Sequence, residues 1–385
     1  MRVLNVTGGI SSNAGEQTAH RLKHYFPNCD ITCGIFESSN PSFEKFAAER
    51  DIDTVFFGPS ITDRFEKISL LPGIGYPRAA GHALMDLGEY DLIHVYGGPL
   101  FHGPVGAMYA ATSRCSMITR FNGYVPLPDT QPKRSIVKTV VRWMLTSDGI
   151  VFNSNAQKQD IIDTYDVCDA SNMRVIPPGV NQTKFGPVGD TTKLSNKVNV
   201  DDSTTVIGSV ITPRPVKRLD RAFDIIGTLS ESYDVTYVIL GGSSHLREYR
   251  QLAAEKGVDK HIYWGGYIEQ DELATWYSLF DMTILTSEWE SFGMSLTESY
   301  LCETPCVAFD VGGMSDQIVN GETGYLVEPY DTNSFVTALE RLVTDPEQRA
   351  EFGIRGREYV QKRFTLERVS SQYSDLISSV TSDNR

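Results

Sequence analysis

The chain of 385 residues lacks several features that define other classes of protein. No apolar run approaches the roughly 20 residues that a bilayer-spanning helix needs, and the N-terminus has no apolar segment followed by a small-residue cleavage site. We therefore expect a cytoplasmic protein that folds in water. Positive charge is also scarce, with 35 Lys and Arg against 49 Asp and Glu. This argues against a nucleic-acid partner, because phosphate backbones require a basic surface.

Cysteines and metal-ligand patterns are sparse as well. The six cysteines are scattered, and neither close pair, Cys29/Cys33 or Cys302/Cys306, is closely followed by a histidine or a further cysteine that would complete a metal site. Cytosolic disulfides are rare. We expect buried, reduced thiols, no bound metal ion and no cofactor.

What the chain does contain is one pattern that occurs twice. Apolar, β-branched runs alternate with stretches of helical periodicity, as in βαβ units on a parallel sheet. The predicted strands of the first half are 3–7, 31–36, 54–57, 92–96, 117–121, 149–152 and 174–176. Those of the second half are 205–210, 235–240, 261–264, 282–285, 305–308 and 324–327.

The length exceeds one ordinary hydrophobic core, so we predict an α/β protein of two Rossmann-like domains. The polar, aperiodic residues 182–204 are predicted to be a linker between domains 1–181 and 205–365, with a final helix in 366–385. Parallel sheets bind ligands beyond the carboxyl ends of their strands. Two such domains facing each other would place two sets of strand-end loops around one cleft.

The most informative stretch follows the predicted strand 282–285 and contains two carboxylates, Glu290 and Glu298. Between them, Phe292, Gly293, Met294 and Ser295 form a turn that opens a helix. Its free N–H groups and the positive end of the helix dipole could hold a phosphate. The carboxylates could bind a ribose or sugar diol, or they could serve only as partners of the helix dipole.

Two further strand ends are candidate phosphate sites. Arg214, Lys217 and Arg218 follow strand 205–210 and could clamp a diphosphate, or form a solvated basic loop. Gly8 and Gly9 follow the first strand and would allow close backbone approach, although a simple tight turn is the alternative. The third glycine of the dinucleotide-binding fingerprint is missing there.

A basic amphipathic helix is predicted near residues 133–144. Arg134, Lys138 and Arg142 form an i, i+4, i+8 stripe opposite apolar residues. Such a helix could lie on anionic lipid and bring the site to a lipid-linked acceptor. The alternative is an ordinary surface helix with its apolar side in the core.

Taken together, these motifs closely resemble retaining glycosyltransferases of the GT-B fold, specifically family 4, the glycosyl transferases group 1. The resemblance spans nearly the whole chain and is strongest from 261 to 328. Its motifs are Glu290-x7-Glu298, 305–316, 320–327, Asn153-Ser154, 176–180 and 265–273.

The resemblance implies a nucleotide-sugar donor as co-substrate and an acceptor that is a glycan, a lipid-linked sugar or a small molecule. It implies that Glu298 holds the ribose and that Glu290 faces the hydroxyls of the donor sugar. Arg214 and Lys217 would contact the diphosphate and Gly9 its distal phosphate. Tyr267 or Ile268 would lie near the base. The final helix would return to the first domain.

Two positions depart from the family pattern. Ser209 stands where many relatives have arginine, so Arg214 could take over that role. Asn122 stands where many have a catalytic histidine, and an amide can bind a sugar hydroxyl but cannot titrate near neutral pH. Transfer of the sugar with retention is the favoured activity. A sugar-nucleotide epimerase, a donor hydrolase and a catalytically silent nucleotide-binding scaffold are the alternatives.

Overall fold

The computed structural model describes residues 1–7, 15–35, 41–56, 89–97, 106–107, 110–111, 113, 115–123, 125 and 127–382. The chain divides into two compact units. The first comprises residues 1–179 together with 366–385, and the second is continuous from 180 to 365. Within the described ranges, no helix combines the length and apolar character that crossing a membrane requires.

The first unit is built on a sheet of seven parallel strands within its described residues. Their order across the sheet is β3-β2-β1-β4-β5-β6-β7. The strands are β1 Arg2–Thr7, β2 Asp30–Ile35, β3 Ile52–Phe56, β4 Leu92–Gly97, β5 Ser116–Phe121, β6 Gly149–Phe152 and β7 Met173–Val175. The helices described here are α1 Gly15–Tyr25, α2 Pro41–Ala48, α3 Lys133–Met144 and α4 Asn155–Tyr165.

The second unit contains a six-stranded parallel sheet in the order β10-β9-β8-β11-β12-β13. Its strands are β8 Thr205–Val210, β9 Val235–Leu240, β10 Ile262–Gly266, β11 Met282–Leu285, β12 Cys306–Phe309 and β13 Gly324–Val327. Its helices are α5 Thr192–Val198, α6 Leu219–Leu229, α7 Leu246–Glu255, α8 Leu273–Leu279, α9 Met294–Leu301, α10 Thr332–Thr344 and α11 Pro346–Arg363. The prediction of two parallel-sheet α/β domains is confirmed.

The last helix, α12 (Leu366–Ser382), belongs to the first unit. Its apolar side is buried in the core that covers one face of the first sheet, where Tyr373 is fully buried. The Ser116 hydroxyl of β5 also donates to the Val380 carbonyl at 3.0 Å. The sheet of the first unit is therefore covered in part by the end of the chain.

Residues 182–204 differ from the predicted linker. They are part of the second unit and contain helix α5. Phe185 and Val198 are buried in that unit's core, and the Val188 amide donates to the Ser278 hydroxyl at 2.9 Å. The polar composition misleads here, because a few apolar side chains among many polar ones are enough to anchor the segment.

The cysteines are not uniformly buried as expected. Cys33, Cys302 and Cys306 are buried, whereas Cys168 is exposed. Burial raises the pKa of the Cys33 thiol to about 12, and a hydrogen bond from Asn5 offsets this only in part. Buried thiols of this kind are protonated at neutral pH and unreactive.

Candidate active site

The predicted donor-site residues lie beyond the carboxyl ends of the strands in the second sheet. Strands β8, β11 and β12 are neighbours and run parallel, so their carboxyl ends lie side by side. Loops carrying Lys217, Glu290 and Gly312 leave these three ends. Strand spacing of about 4.8 Å places loops from adjacent strands within side-chain reach.

Lys217 and Glu290 form an ion pair beyond these strand ends. The side chains are 18% and 12% exposed, respectively, so both charges are largely removed from water. The Ser287 hydroxyl donates to the same oxygen of Glu290, Oε1, at 2.8 Å. One carboxylate oxygen thus accepts from two donors, which fixes the orientation of Glu290.

Backbone hydrogen bonds hold the two loops together. The Glu288 amide donates to the Val216 carbonyl at 2.8 Å. The Thr286 hydroxyl lies 3.2 Å from the Lys217 carbonyl. The position of Lys217 relative to Glu290 is therefore set by the backbone as well as by their charges.

The loop after β12 supports Glu290 from the other side. The Gly313 amide donates to the Glu290 carbonyl at 2.9 Å. Gly312 has a φ of +54°, and a Cβ there would lie 1.9 Å from the Glu290 carbonyl oxygen. Glycine is required at position 312 because a side chain would collide with backbone.

The predicted phosphate cradle is a helix N-terminus. Helix α9 begins at Met294 after Gly293, whose φ of +82° lies in the left-handed region. The first N–H groups of a helix have no partner within it, so those of Met294 and Ser295 face outward from the helix end. Phe292, in contrast, is buried in the core, so it can offer only backbone to a ligand.

Gln317 fixes this turn and was not identified from the sequence. It is fully buried, and its amide nitrogen donates to the carbonyls of Phe292 and Gly293. The Thr297 hydroxyl donates to its oxygen at 2.5 Å. Gln317 follows the glycine motif 312–316 and has no catalytic pattern of its own, so sequence reasoning had no signal for it.

Glu298 lies in the second turn of α9 and is only 6% exposed. Its Oε2 accepts a hydrogen bond of 2.9 Å from the hydroxyl of Tyr277, which is fully buried on α8. Burial and, second, the nearby Glu298 charge raise the pKa of Tyr277 well above its ordinary value. Tyr277 therefore remains a donor to Glu298 at physiological pH.

The three predicted diphosphate cations have different environments. Arg218 donates to both carboxylate oxygens of Asp220, at 2.9 and 2.7 Å, and lies 3.7 Å from Glu288. These interactions raise the pKa of Arg218, with the Asp220 hydrogen bond as the largest contribution. Arg214 is exposed. Lys217 and Arg218 are thus engaged by carboxylates in this structure, and Arg214 lies at the surface.

Ser209, the departure from the family arginine, faces the core. It is 2% exposed, donates to the Ile284 carbonyl at 2.7 Å and accepts from the Tyr237 hydroxyl at 2.8 Å. A residue in this environment supports the sheet and does not reach a ligand through its hydroxyl.

The two predicted base contacts follow β10, an edge strand. Tyr267 is 49% exposed, and Ile268 packs against the core. The preceding Gly266 has a φ of +69°, and its carbonyl accepts from the Gly241 amide at 2.6 Å. The turn therefore presents the Tyr267 ring at the surface of the second unit.

Asn122 belongs to the first unit, at the carboxyl end of β5. Its Oδ1 accepts from Nε of Arg120 at 3.0 Å. The guanidinium of Arg120 also donates to Oδ1 of Asn153 at 2.7 Å and is completely buried. Sequence reasoning missed Arg120, although a charged residue within an apolar central strand was a visible signal.

Gly9, the predicted distal-phosphate contact, lies outside the described residues.

The basic stripe on α3 is partly neutralised. Lys138 and Arg142 both pair with Asp166, at 3.1 and 3.0 Å. Trp143 on the same helix is 40% exposed.

Across the ranges that the structure describes, no three His, Cys, Asp or Glu side chains are grouped so as to hold a metal ion.

The fold is shared with solved structures that cover nearly the whole chain. HepE from Anabaena, solved in complex with UDP and glucose, superposes with a TM-score of 0.82 at 18% identity, covering 98% of this chain and 100% of that one. Sucrose-phosphate synthase from Thermosynechococcus elongatus gives 0.78 at 18% identity, with 100% of both chains covered. The two parallel-sheet units are those of the GT-B class of glycosyltransferases.

Family models and relatives give the family itself. Residues 190–359 match the model described as Glycosyl transferases group 1, and residues 15–184 match Glycosyltransferase Family 4. D-inositol 3-phosphate glycosyltransferase of Acidothermus cellulolyticus is 30% identical over 324 residues, 77% of this chain and 69% of that protein. The chain belongs to this family of glycosyltransferases.

A second relative matches over a shorter stretch. N-acetyl-alpha-D-glucosaminyl L-malate synthase of Bacillus anthracis is 29% identical over 196 residues, 51% of each chain. The chain spans about half the length of this synthase and of several other relatives that it matches.

Proposed function

We propose that the chain transfers a sugar from a nucleoside-diphosphate sugar to an acceptor hydroxyl, with retention of configuration at the anomeric carbon. The proposal is based on the side chains and the helix N-terminus that lie beyond the carboxyl ends of the strands in the second sheet. A lysine, two carboxylates that are largely shielded from water and a helix N-terminus are carried there by neighbouring elements of the second unit. Each matches one part of the nucleoside-diphosphate sugar in charge and hydrogen-bonding capacity.

The diphosphate end is served by positive groups. The amides at the start of α9 and the Lys217 ammonium can both bind phosphate oxygens. Arg214, exposed at the start of the same loop as Lys217, supplies a further cation. These fixed positive groups stabilise the negative charge that builds on the diphosphate as the sugar leaves.

The carboxylates serve the hydroxyl groups. Glu290 has one oxygen engaged by Lys217 and Ser287, and its carboxylate accepts from hydroxyls of the donor sugar. Glu298 accepts from the ribose diol. The bond between the anomeric carbon and the diphosphate breaks, the acceptor oxygen bonds to that carbon, and the acceptor proton passes to the leaving diphosphate. This route needs no covalent protein nucleophile. Asn122 would bind a sugar hydroxyl through its amide.

The base is proposed to be uracil, stacked near Tyr267 or Ile268, since HepE was solved with UDP and with UDP-glucose. The names of the relatives suggest small hydroxylated anions such as malate or inositol 3-phosphate as first acceptors to examine. No metal ion is proposed to take part.

A panel of nucleotides tests the donor site. UDP, GDP and ADP and their common sugar conjugates are added to wild type, Glu298→Ala and Glu303→Ala while the melting midpoint is recorded. Glu303 pairs with Arg357 at 2.8 Å and serves as the matched carboxylate control. A nucleotide at about 100 times its dissociation constant adds roughly 2.7 kcal/mol to the free energy of unfolding. We expect a shift of several degrees with uridine compounds in wild type and Glu303→Ala and none in Glu298→Ala.

Product analysis then separates the activities. Transfer gives a glycosylated acceptor, and its anomeric coupling in the NMR spectrum reports retention or inversion. Free sugar formed without acceptor indicates a donor hydrolase, and an altered sugar nucleotide indicates an epimerase. Nucleotide binding with no turnover under any condition would identify a silent scaffold and overturn the proposed transfer.

Peripheral contact with anionic lipid is a secondary proposal. It rests on exposed Trp143 and on Lys133 and Arg134 at the start of α3, because Lys138 and Arg142 are already paired with Asp166. Sedimentation with phosphatidylserine vesicles should carry down wild type more than Trp143→Ala. Equal sedimentation of both proteins would remove this contact from the proposal.

A further inference from the structure

We infer that Tyr277 is a positioning residue that orients Glu298 and thereby makes nucleotide binding depend on the ribose hydroxyls. The inference rests on the proposed function, because it concerns the carboxylate proposed to bind ribose. Tyr277 was not singled out from the sequence. It lies within an apolar helical run, where a tyrosine is expected to be an ordinary residue of the hydrophobic core.

The contact between the two side chains has a fixed direction. The Tyr277 hydroxyl lies 2.9 Å from Oε2 of Glu298. An ionised carboxylate only accepts hydrogen bonds, so the phenol must be the donor. Both groups are buried, with Tyr277 fully covered and Glu298 6% exposed. A hydrogen bond to a charged acceptor in such surroundings is among the stronger ones in proteins.

Tyr277 is itself held rigidly. Its ring contacts Phe185 and Phe280 edge to face, with centroids 6.2 and 6.0 Å away. Its backbone carbonyl accepts from the Thr304 hydroxyl at 2.7 Å. The donor therefore occupies a defined position against which the carboxylate aligns.

Alignment matters because the terminal torsion of glutamate is broad. A carboxylate that binds two adjacent hydroxyls must present its plane to both at once. With Oε2 fixed by Tyr277, the plane of Glu298 is set before the nucleotide arrives, and the ordering cost of binding falls. Without the phenol, Oε2 would lose this donor and the plane of the carboxylate would be less closely fixed for binding two hydroxyls.

Affinity for deoxynucleotides provides the readout. Dissociation constants of UDP, 2′-deoxy-UDP and 3′-deoxy-UDP, and of the corresponding GDP and ADP sets, are measured by calorimetry on wild type, Tyr277→Phe and Tyr300→Phe. Tyr300 is the matched control, a fully buried tyrosine of the same unit whose hydroxyl lies 3.2 Å from that of Thr323. We expect wild type and Tyr300→Phe to prefer the ribonucleotide by about tenfold or more. Tyr277→Phe should bind the ribonucleotide about tenfold more weakly and discriminate little.

Kinetics supply the second readout. The ribose is remote from the bond that breaks, so losing its alignment should raise KM and leave kcat nearly unchanged. A mutation that merely loosened the fold would lower kcat and the melting midpoint as well. If Tyr277→Phe lowers the midpoint more than Tyr300→Phe does, Tyr277→His, which restores a donor, is compared with it. Recovery of ribose discrimination in Tyr277→His supports the inference, and no recovery overturns it.

The failures are distinguishable. If wild type binds none of the nucleoside diphosphates, the proposed function fails and the positioning role fails with it. If wild type prefers the ribonucleotide and Tyr277→Phe keeps the same preference, only the role of Tyr277 is overturned. An equal loss of discrimination in Tyr300→Phe would also overturn it, since the effect would then be a general response of the core.

Discussion

The Arg120 guanidinium donates to the Tyr373 hydroxyl at 3.0 Å and so joins strand β5 to the last helix across 253 residues of sequence. Arg120 also lies over the ring of Tyr25, 5.2 Å from its centroid, and Tyr25 stacks on Tyr373 with centroids 4.3 Å apart. The Arg120 guanidinium donates to hydroxyl and amide oxygens. A buried cation held in this way links the turn at Asn122 to the end of the chain.

Arg120→Met should loosen the first unit. A hydrogen bond to a charged group contributes roughly 1.5–3 kcal/mol, and the substitution removes the guanidinium that donates to the oxygens of Asn122 and Asn153. We expect a loss of about 3 kcal/mol or more in unfolding free energy. Hydrogen exchange followed by mass spectrometry should show faster exchange in β5, β6 and α12. Arg250→Met, which removes an exposed guanidinium over Trp264 in the second unit, should leave those segments unchanged.

The buried position of His94 predicts how the free energy of unfolding depends on pH. Burial, together with the charge of Arg120, lowers the pKa of His94 to about 3. Its Nδ1 lies 2.7 Å from Oδ1 of Asn5, and its Nε2 lies 3.4 Å from the Tyr373 hydroxyl. Tyr25 and Tyr96 are its other titratable neighbours.

The unfolded chain binds a proton on His94 below pH about 6.5, whereas the folded chain does so only near pH 3. The stability from neutral His94 is therefore complete above pH 6.5 and is lost as pH falls toward 3, by at most about 1.4 kcal/mol per pH unit. Urea unfolding of wild type and His94→Gln at several pH values isolates this contribution. Parallel pH profiles for the two proteins would contradict it.

Lys217→Ala tests the ion pair at the donor site. Removing the ammonium takes away one of the two donors described for Glu290 Oε1 and removes a cation from the proposed diphosphate site. We expect kcat to fall by about 100-fold or more, as when one transition-state donor is removed. Lys256→Ala breaks the pair of Lys256 with Asp224 on the surface and is the matched control. A Lys217→Ala enzyme with wild-type turnover would refute the role of this lysine.

Gly312→Ala and Gly321→Ala form a second matched pair. Both glycines have left-handed φ values, +54° and +77°, so both substitutions carry the conformational cost of about 1 kcal/mol. Only at Gly312 would the new Cβ meet backbone, the carbonyl oxygen of Glu290. Steady-state kinetics should therefore show a large loss of kcat for Gly312→Ala and a small one for Gly321→Ala. Similar kinetics for the two variants would mean that Gly312 has no specific role.

Much of the fold could be predicted from the sequence, because parallel strands buried on both faces appear as short apolar runs between turns. Runs such as Leu92–Gly97 and Val235–Leu240 meet that description directly. Residues 182–204 do not, since the burial of Phe185 and Val198 depends on partners far along the chain. Composition within a window carries no information on such partners.

The candidate site was predictable only in part, for a similar reason. Lys217 and Glu290 were each identified next to a strand end, but their pairing spans 73 residues and follows from the adjacency of β8 and β11. Tyr277 and Gln317 were missed because their types are common in helices and loops. What distinguishes them is a single contact in space, with Glu298 and with the turn at Gly293.

The discontinuous first unit has a consequence for how the protein is made. The N-terminus of a chain leaves the ribosome first during synthesis, and domains usually fold as they emerge. The second unit, residues 180–365, is continuous and can fold before synthesis ends. The first unit waits for Leu366–Ser382, so its sheet and the charge of Arg120 remain partly uncovered while more than half of the chain is translated. A nascent chain in this state is a natural substrate for chaperones, and a stop codon just before residue 366 would leave it so permanently.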